Sequence, residues 1–291
     1  MIIREPVAAG RFYPVEPEPC RQQLLQLSEK GSCNFRSDRP LLGGLVPHAG
    51  WAYSGALAAK VFNVLKMSCT PDVIVLLGGI HRNRGRQAAL FGTGVWETPL
   101  GSVEIDNRLA ERILGHTNLI VDDPYAHEEE HSIEVQMPFV KHLFPEAKVV
   151  PIVVPGTDTA HEVGEAVGRT LTAYRYNAIV VGTTDLTHYG PRYGFTPHGT
   201  GANANAWAKE QNDRRFIDLI CALKVTEVVQ EAGEHKNACS SGATAATLAA
   251  VTLLGAREGV LLEHTSSSEV LGGQTPTEMQ DSVGYAAIVF E

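Results

Sequence analysis

Short apolar runs alternate with helical patterns along the whole 291-residue chain, and this alternation limits the possible folds more than any other feature. Strand candidates rich in Val, Ile and Leu lie at residues 41–46, 73–77, 149–154, 178–181, 260–263 and 285–290. Helix candidates lie at residues 55–66, 107–114, 133–143, 159–174, 204–223, 226–232 and 241–254. Uninterrupted apolar strands between helices are typical of a sheet that helices cover on both faces. We therefore predict an α/β fold, with one domain over residues 1–291 and a largely buried mixed β-sheet flanked by helices.

The charge balance and the cysteines exclude several classes of protein. The chain has 24 Lys and Arg against 33 Asp and Glu, which gives a formal net charge of −9. Nucleic-acid binding would need clustered positive charge, so this balance makes it a poor hypothesis. The five cysteines contain no C-x-x-C pair, which favours a reducing, cytoplasmic location over a zinc ribbon or a disulfide framework. We recognise no signal peptide at the N-terminus. Residues 237–256 carry no charge, but their Ser and Thr content favours a buried helix over a membrane span.

Histidine is the unusual residue of this composition, with 11 in the chain. His48 and His81 each follow a predicted buried strand and lie close to glycines, which let a backbone approach a ligand. Asp185 and His188 follow a third strand. Loops at the carboxyl ends of strands meet at one edge of an open α/β sheet, where ligands bind. A single such histidine is more often hydrogen-bonded within a turn, but for the pair His48 and His81 we favour metal ligation.

An anionic ligand would complete such a site. Cys239 precedes a predicted helix of small residues, and a helix N-terminus favours the thiolate, the form of cysteine that binds metal. The alternative is a small buried residue, and spacing alone does not distinguish Cys239 from Cys221. Asp185 and His188 lie three residues apart, so a helical turn would bring both into one pocket, where the carboxylate would orient a general acid or base. A helix N-cap and a surface histidine explain these two residues about as well.

Residues 127–131 read His-Glu-Glu-Glu-His, the pattern of many zinc metalloproteases. On a helix, His127, His131 and Glu134 would share one face. Pro138 interrupts that pattern, and residues 127–130 contain no apolar side chain, so we interpret His127 as part of a solvated acidic turn. His131 and Glu134 remain candidate pocket residues.

Two further features lie next to the predicted site. Arg82, Arg84 and Arg86 closely follow His81. They are typical of a solvated loop, although a guanidinium could also clamp a carboxylate or phosphate of a substrate. Tyr53 either lines the same pocket or packs against the helix that follows it.

Four motifs and one cysteine occur in a distinctive order: Ala-Gly-Arg-Phe-Tyr-Pro at 9–14, Pro-His-Ala-Gly-Trp-Ala-Tyr-Ser-Gly at 47–55, Glu-His-Ser-Ile-Glu at 130–134, Asp-Leu-Thr-His-Tyr at 185–189, and Cys239. Together they resemble the Memo family, and the resemblance covers almost the whole chain. That family has an α/β fold similar to the class III, non-haem iron extradiol dioxygenases. Its microbial members are often called AmmeMemoRadiSam system protein B.

The resemblance implies a metal site in which His48, His81 and Cys239 are the ligands, with Asp185 and His188 beside them. In the dioxygenases the third ligand is a glutamate and a further histidine acts as acid and base. By similarity, Cys239 takes the place of that glutamate and His188 the place of that histidine. The resemblance to iron enzymes implies one metal ion, with Fe(II) in first place. A thiolate is softer than a carboxylate, which also suits Cu or Zn, and these are the alternatives.

We expect an iron- or copper-dependent enzyme that uses oxygen or transfers electrons. Tyr53, His131 and Arg82 would contact a small-molecule or peptide ligand in the metal pocket. The alternative is a non-catalytic protein that holds a metal or a peptide there and acts as a partner in a multi-protein system. The resemblance implies radical SAM and Amme-domain partners, and we expect neither nucleic acid nor a membrane. A zinc hydrolase built on His127 and His131 is a third hypothesis.

Overall fold

The computed structural model describes residues 2–81, 87–272 and 280–291 of the chain. In these ranges the helices are α1 (Pro17–Lys30), α2 (Trp51–Ser68), α3 (Asn107–His116), α4 (Met137–Leu143), α5 (Ala160–Ala173), α6 (Ala202–Trp207), α7 (Arg214–Cys221), α8 (Val228–His235), α9 (Ser241–Leu254) and α10 (Ser267–Val270). The strands are β1 (Ile3–Arg4), β2 (Gly43–Val46), β3 (Val73–Gly78), β4 (Ala88–Leu90), β5 (Val95–Trp96), β6 (Val103–Glu104), β7 (Ile120–Asp122), β8 (Lys148–Val153), β9 (Ala178–Thr183), β10 (His188–Tyr189), β11 (Gly259–Ser266) and β12 (Ser282–Phe290). Short 3-10 helices lie at Pro124–His127, Glu134–Gln136 and Pro191–Tyr193, and a π-helix at Ala208–Asp213 separates α6 from α7.

The large sheet has the strand order β10-β12-β2-β9-β3-β8-β4-β7, with β11 paired to β12. Its centre is parallel, because β2, β9, β3 and β8 run in the same direction. β12 joins β2 antiparallel, and β4 joins β8 antiparallel. The sheet is therefore mixed and flanked by helices, as predicted, and its parallel centre explains why the strand candidates are apolar throughout. A separate small sheet contains β1, β5 and β6.

The large sheet separates two apolar layers. In β3, Ile74 and Leu76 belong to the core that the sheet shares with α1, α2 and α4. Val75 and Leu77 belong to the core on the other face, with α5, α7 and α9. This alternation follows from the pleat of a strand, which points successive side chains to opposite faces. Since helices cover both faces, all six residues of β3 are buried.

Helix α9 occupies most of the uncharged segment that the sequence placed in the interior. It packs closely against α5, where a Cβ on Gly164 would overlap the carbonyl oxygen of Ala246. The hydroxyls of Thr244 and Thr247 donate to carbonyl oxygens one turn earlier, at 3.1 and 2.7 Å, so these buried polar side chains are satisfied. Among the residues described, no helix is both long enough and apolar enough to cross a membrane.

The single helix predicted at residues 204–223 is wrong in its middle. α6 ends at Trp207, and the π-helix over Ala208–Asp213 connects it to α7. The spacing of apolar residues did not reveal this change of winding. Asn212 and Asp213 are polar, as residues on an exposed helix face would be, but each is only 1% exposed. Their hydrogen bonds connect this segment to the loops of the candidate site.

Candidate metal centre

The carboxyl ends of three neighbouring strands meet at one edge of the large sheet. β2, β9 and β3 are adjacent and parallel. His48 follows the end of β2, and His81 follows the end of β3. Asp185 and His188 follow the end of β9, which lies between the other two strands. The strand order thus places all four side chains at the edge where open α/β sheets bind ligands.

His48 is buried and held at one ring nitrogen. Its Nδ1 is 2.6 Å from Thr183 Oγ1, and its main-chain N–H donates to Asp185 Oδ1 at 2.8 Å. The contact at Nδ1 fixes the ring, and Nε2 lies 3.1 Å from Cys239 Sγ. An imidazole fixed through one nitrogen, with the other directed into a pocket, is the usual arrangement of a metal ligand.

His81 is fixed in the same way by Glu130. The Glu130 carboxylate accepts hydrogen bonds from His81 Nδ1 at 2.9 Å, from the His81 main-chain N–H at 2.8 Å and from the Ser132 main-chain N–H at 2.8 Å. Burial alone would raise the pKa of Glu130, but the hydrogen bonds and the charge of His81 lower it well below its usual range. Glu130 is therefore an ionised carboxylate behind His81, a pairing that orients ligand histidines in metal sites.

Cys239 reaches the same pocket from the N-terminal end of α9. It directly precedes Ser240, the N-cap of that helix. Its Sγ accepts a hydrogen bond from the main-chain N–H of Asp185 at 3.3 Å, in addition to its contact with His48. The helix end and the N–H donor both favour a negatively charged sulfur.

Histidines around Cys239 determine its protonation. Burial would raise the pKa of the thiol, but His48, His188 and His81 lower it well below its usual range, which favours the thiolate. Cys221, which spacing could not separate from Cys239, lies in α7, where burial raises the pKa of its thiol to about 11. A thiolate binds metal and a thiol does not, so the geometry favours Cys239 over Cys221.

Donor atoms of His48, His81 and Cys239 lie within 4.8 Å of one another, close enough for one metal ion. Asp185, His188 and Cys239 form another such group. Within the described ranges, the buried Nε2 of His188 has no hydrogen-bond partner, and it lies 4.0 Å from Asp185 Oδ2. Buried polar atoms nearly always have a partner, so this nitrogen fits a pocket that receives a ligand. Two imidazoles and a thiolate are donors that suit iron, copper or zinc.

Protons compete with a metal ion for the ligands of this pocket. Burial lowers the pKa of His81, but Cys239 and Glu130 outweigh burial and raise it to about 10. For His48 as well, burial lowers the pKa while Cys239 and Asp185 raise it above its usual value. A metal ion that binds His81 must therefore displace the proton of its imidazole.

His131 lies in this pocket. Its ring centroid is 4.7 Å from that of His81, 5.5 Å from that of His48 and 4.7 Å from that of Phe12. Burial lowers the pKa of His131 to about 3, so the imidazole is neutral. With His81 and Glu130 it forms a further group whose donor atoms could hold a metal ion.

The interpretation of His127 as a solvated turn residue is wrong. The side chain is fully buried, its Nε2 lies 3.0 Å from Ala89 O, and its ring contacts the rings of Phe91 and Trp96. Burial lowers the pKa of His127 to about 3. The residues that bury it come from β4, from β5 and from the residue that follows β4, so no local pattern indicated them. Among the described residues, no group that could hold a metal contains His127.

Glu134 likewise lies outside the pocket, in a buried network with the N-terminal segment. Its carboxylate pairs with Arg4 at 2.5 Å and accepts hydrogen bonds from Tyr13 Oη and from the main-chain N–H of Ala8. Arg4 also donates to the carbonyl oxygen of Glu130 at 2.8 Å. Glu134 is therefore a structural residue that fixes the backbone beside the site.

Aromatic side chains surround the candidate site. Tyr53 is in the first turn of α2 and is 41% exposed, and the ring of Tyr193 lies 5.0 Å from that of His188. Arg82 lies outside the described residues, as do Arg84 and Arg86. No sequence pattern indicated Tyr193, and Phe12 was indicated only as part of the motif at residues 9–14. Thr183 and Glu130 adjoin the predicted residues in sequence, but their contacts with the histidines depend on the fold.

Comparison with known proteins agrees with the resemblance in the motifs. Residues 4–289 match the family model described as Memo-like protein. The chain belongs to the Memo family. A MEMO1 family protein of Methanopyrus kandleri is 37% identical, across 99% of this chain and 98% of that protein. Relatives from Pyrobaculum arsenaticum and Methanothermobacter thermautotrophicus are each 34% identical, across 100% and 98% of this chain and 99% of their own lengths.

Among solved structures, an uncharacterised protein of Escherichia coli K12 resembles this Memo-family chain with a TM-score of 0.56. The likeness covers 86% of this chain and 100% of that one, at 10% sequence identity. Such low identity concerns the fold alone, and it confirms the predicted mixed α/β architecture.

Proposed function

We propose that this Memo-family chain binds one transition-metal ion through His48, His81 and Cys239 and uses it in a redox or oxygen-dependent reaction. Fe(II) is the ion we favour, with Cu or Zn as alternatives. The observation that carries the proposal is the convergence of three donor atoms within 4.8 Å, with each imidazole fixed at Nδ1 by a second side chain. When bound, the ion would supply Lewis-acid and electron-transfer chemistry.

In this proposal, His188 moves the proton and Asp185 orients it. Burial lowers the pKa of His188, but Cys239 and Asp185 raise it above its usual value, which favours the protonated imidazole. Nε2 is the nitrogen that lies 4.0 Å from Asp185 Oδ2, and it is the atom at which the proton would be held or released. Asp185 also accepts a hydrogen bond from the main-chain N–H of His48, which couples the two loops.

The surrounding side chains favour a small-molecule or peptide ligand with a planar or apolar group. His131 is neutral, and its ring lies 4.7 Å from that of Phe12 at a tilt of 44°. The ring of Tyr193 lies 5.0 Å from that of His188. Tyr53, in the first turn of α2, is 41% exposed. We propose that these side chains exclude water from one side of the ligand and orient it. Contact of Arg82 with the ligand is likewise part of the proposal.

The ligand assignment is tested by metal content. Wild-type protein purified without oxygen and reconstituted with Fe(II) should hold one ion per chain, and Cys239→Ala and His48→Ala should each lose most of it. Cys221→Ala is the matched control, because it removes a half-buried thiol away from the pocket and should leave the metal content unchanged. Full metal content in both Cys239→Ala and His48→Ala would contradict the assignment.

Turnover is tested separately from binding. The iron-loaded wild-type protein should consume oxygen with one or more members of a panel of catechols and other reductants. If His188 moves the proton, the His188→Ala variant should not consume oxygen with any of them. If the wild-type protein binds iron but consumes no oxygen with any of them, the alternative of a non-catalytic metal- or peptide-binding partner protein is favoured.

Zinc hydrolysis through His127 and His131 is disfavoured by the burial of His127 and its contact with Ala89 O. A His127→Ala, His131→Ala double variant that folds and retains its metal would eliminate it.

A further inference from the structure

The loop between β9 and β10, residues 184–187, is fixed at its last residue. Thr187 is 1% exposed, and its main-chain N–H donates to Asp213 Oδ1 at 2.9 Å. Its hydroxyl accepts a hydrogen bond from Asn212 Nδ2 at 3.1 Å, and its carbonyl oxygen accepts one from the Gly284 N–H at 3.0 Å. The loop that carries Asp185 and leads into His188 is thus bound to groups outside the pocket.

Two consecutive residues of the π-helix contact the same residue of this loop. Asn212 Nδ2 donates to the Thr187 hydroxyl, and Asp213 Oδ1 accepts from the Thr187 main-chain N–H. Turns of π-helix are rare and are frequent at functional sites. Each of these buried polar side chains is satisfied by its hydrogen bonds, which makes the arrangement rigid.

The same π-helix also fixes the segment that leads to Cys239. The main-chain oxygen of Asn212 accepts a hydrogen bond from Asn237 Nδ2 at 3.0 Å, and Asn212 Nδ2 donates to His235 O at 2.9 Å. Asn237 is fully buried and lies two residues before Cys239. One element therefore contacts the loop of His188 on one side and the approach to Cys239 on the other.

Asp213 is itself fixed by the antiparallel edge of the sheet. His264 Nε2 in β11 lies 3.0 Å from Asp213 Oδ2. Gly284 in β12 leaves room for the carboxylate, because a Cβ there would overlap Asp213. The position of the π-helix is thus set by β11 and β12.

We propose that Asn212 and Asp213 are positioning residues that fix the His188 loop and the Cys239 segment relative to each other in the metal centre. This inference rests on the proposed function, because it concerns the geometry of the same site. Neither residue contacts a donor atom of the site in the hydrogen bonds described above. Their effect comes from restricting the two loops, and we expect it at the lower end of the about 10- to 100-fold change in metal affinity that groups bonded directly to ligand residues produce.

The test uses Thr187→Val, which removes one hydroxyl and keeps the backbone contacts, and Asn212→Leu, which removes both side-chain donors. Thr170→Val is the matched control: Thr170 is equally buried in α5, and its hydroxyl contacts Ala166 O and His116 Nδ1. Co(II), which absorbs in the visible range, is titrated into each metal-free protein without oxygen, and thermal unfolding is followed in parallel.

We expect Thr187→Val and Asn212→Leu to weaken Co(II) binding about tenfold and to shift its absorption bands. Thr170→Val should lower the unfolding temperature without changing either readout. If Thr187→Val binds Co(II) with the Kd and the absorption bands of the wild type, the inference is overturned, even if Asn212→Leu does not fold. If His48→Ala binds Co(II) as the wild type does, the proposed function fails as well, so the two failures are distinguishable.

Discussion

Replacing Glu130 with glutamine should lower both stability and metal affinity, because the carboxylate accepts three N–H donors. Oε1 accepts from the Ser132 N–H and from His81 Nδ1, and Oε2 accepts from the His81 N–H. A glutamine side chain has one oxygen, so its amide nitrogen must face at least one of these donors. A buried donor left without an acceptor costs about 1–3 kcal/mol. Loss of the carboxylate behind His81 should also weaken metal binding about 10- to 100-fold, equivalent to about 1.4–2.7 kcal/mol.

Two measurements on Glu130→Gln test this reasoning: urea unfolding of the metal-free protein and anaerobic titration with Fe(II). Glu104→Gln is the control, because Glu104 is exposed and pairs with Lys148 at 3.0 Å on the surface. Such exposed pairs contribute about 1 kcal/mol or less, and the metal affinity of the control should equal that of the wild type. If Glu130→Gln keeps both the free energy of unfolding and the Kd of the wild type, Glu130 does not orient His81 and the reasoning is refuted.

Three other predictions concern protonation and packing. Metal affinity should rise from about pH 6 to about pH 9, because the ion competes with the proton of His81, whose pKa is raised to about 10. A metal Kd that does not change over this pH range would contradict the competition. Burial lowers the pKa of His127 to about 3, so as the pH falls below about 6.5 the unfolded state binds a proton that the folded state excludes, and stability decreases. His127→Gln, which keeps an N–H donor, should lose less stability on acidification than the wild type in urea unfolding, and an equal loss would count against the assignment. Gly164→Ala should destabilise the protein by about 1–3 kcal/mol, because the new Cβ would overlap Ala246. Gly115→Ala in α3, where the new Cβ meets no other part of the protein within 4 Å, should stabilise it by about 0.5–1 kcal/mol. Equal effects of the two substitutions in urea unfolding would refute the close packing of α5 on α9.

The large sheet could be predicted because its central strands are buried on both faces. Each of the six apolar runs corresponds to one strand, from β2 at residues 43–46 to β12 at residues 282–290. The strands that were missed, β1, β4, β5, β6, β7 and β10, have two or three residues each, too few for a periodic pattern. Helix α1 was also missed, because only three of its 14 residues are buried and the rest resemble a polar loop.

The candidate site could be predicted in part, because ligands bind at the carboxyl ends of strands in open α/β sheets, and those strand ends can be located in the sequence. That rule indicated His48, His81 and His188, which follow the ends of parallel strands. The sequence could not indicate that Glu130 would reach His81 or that Asp213 would reach Thr187, because these contacts join segments that are distant in the chain. Spacing did not separate Cys239 from Cys221 either. Its place in the pocket depends on where the N-terminus of α9 packs against the end of β9.

The most direct test of the proposed metal centre is X-ray absorption spectroscopy of the iron-loaded protein, prepared without oxygen. We expect one sulfur neighbour and imidazole nitrogen neighbours around iron in the wild type. Cys239→Ala should lose the sulfur, and Cys221→Ala should retain it. Iron surrounded only by oxygen and nitrogen in the wild type would contradict a site built from His48, His81 and Cys239.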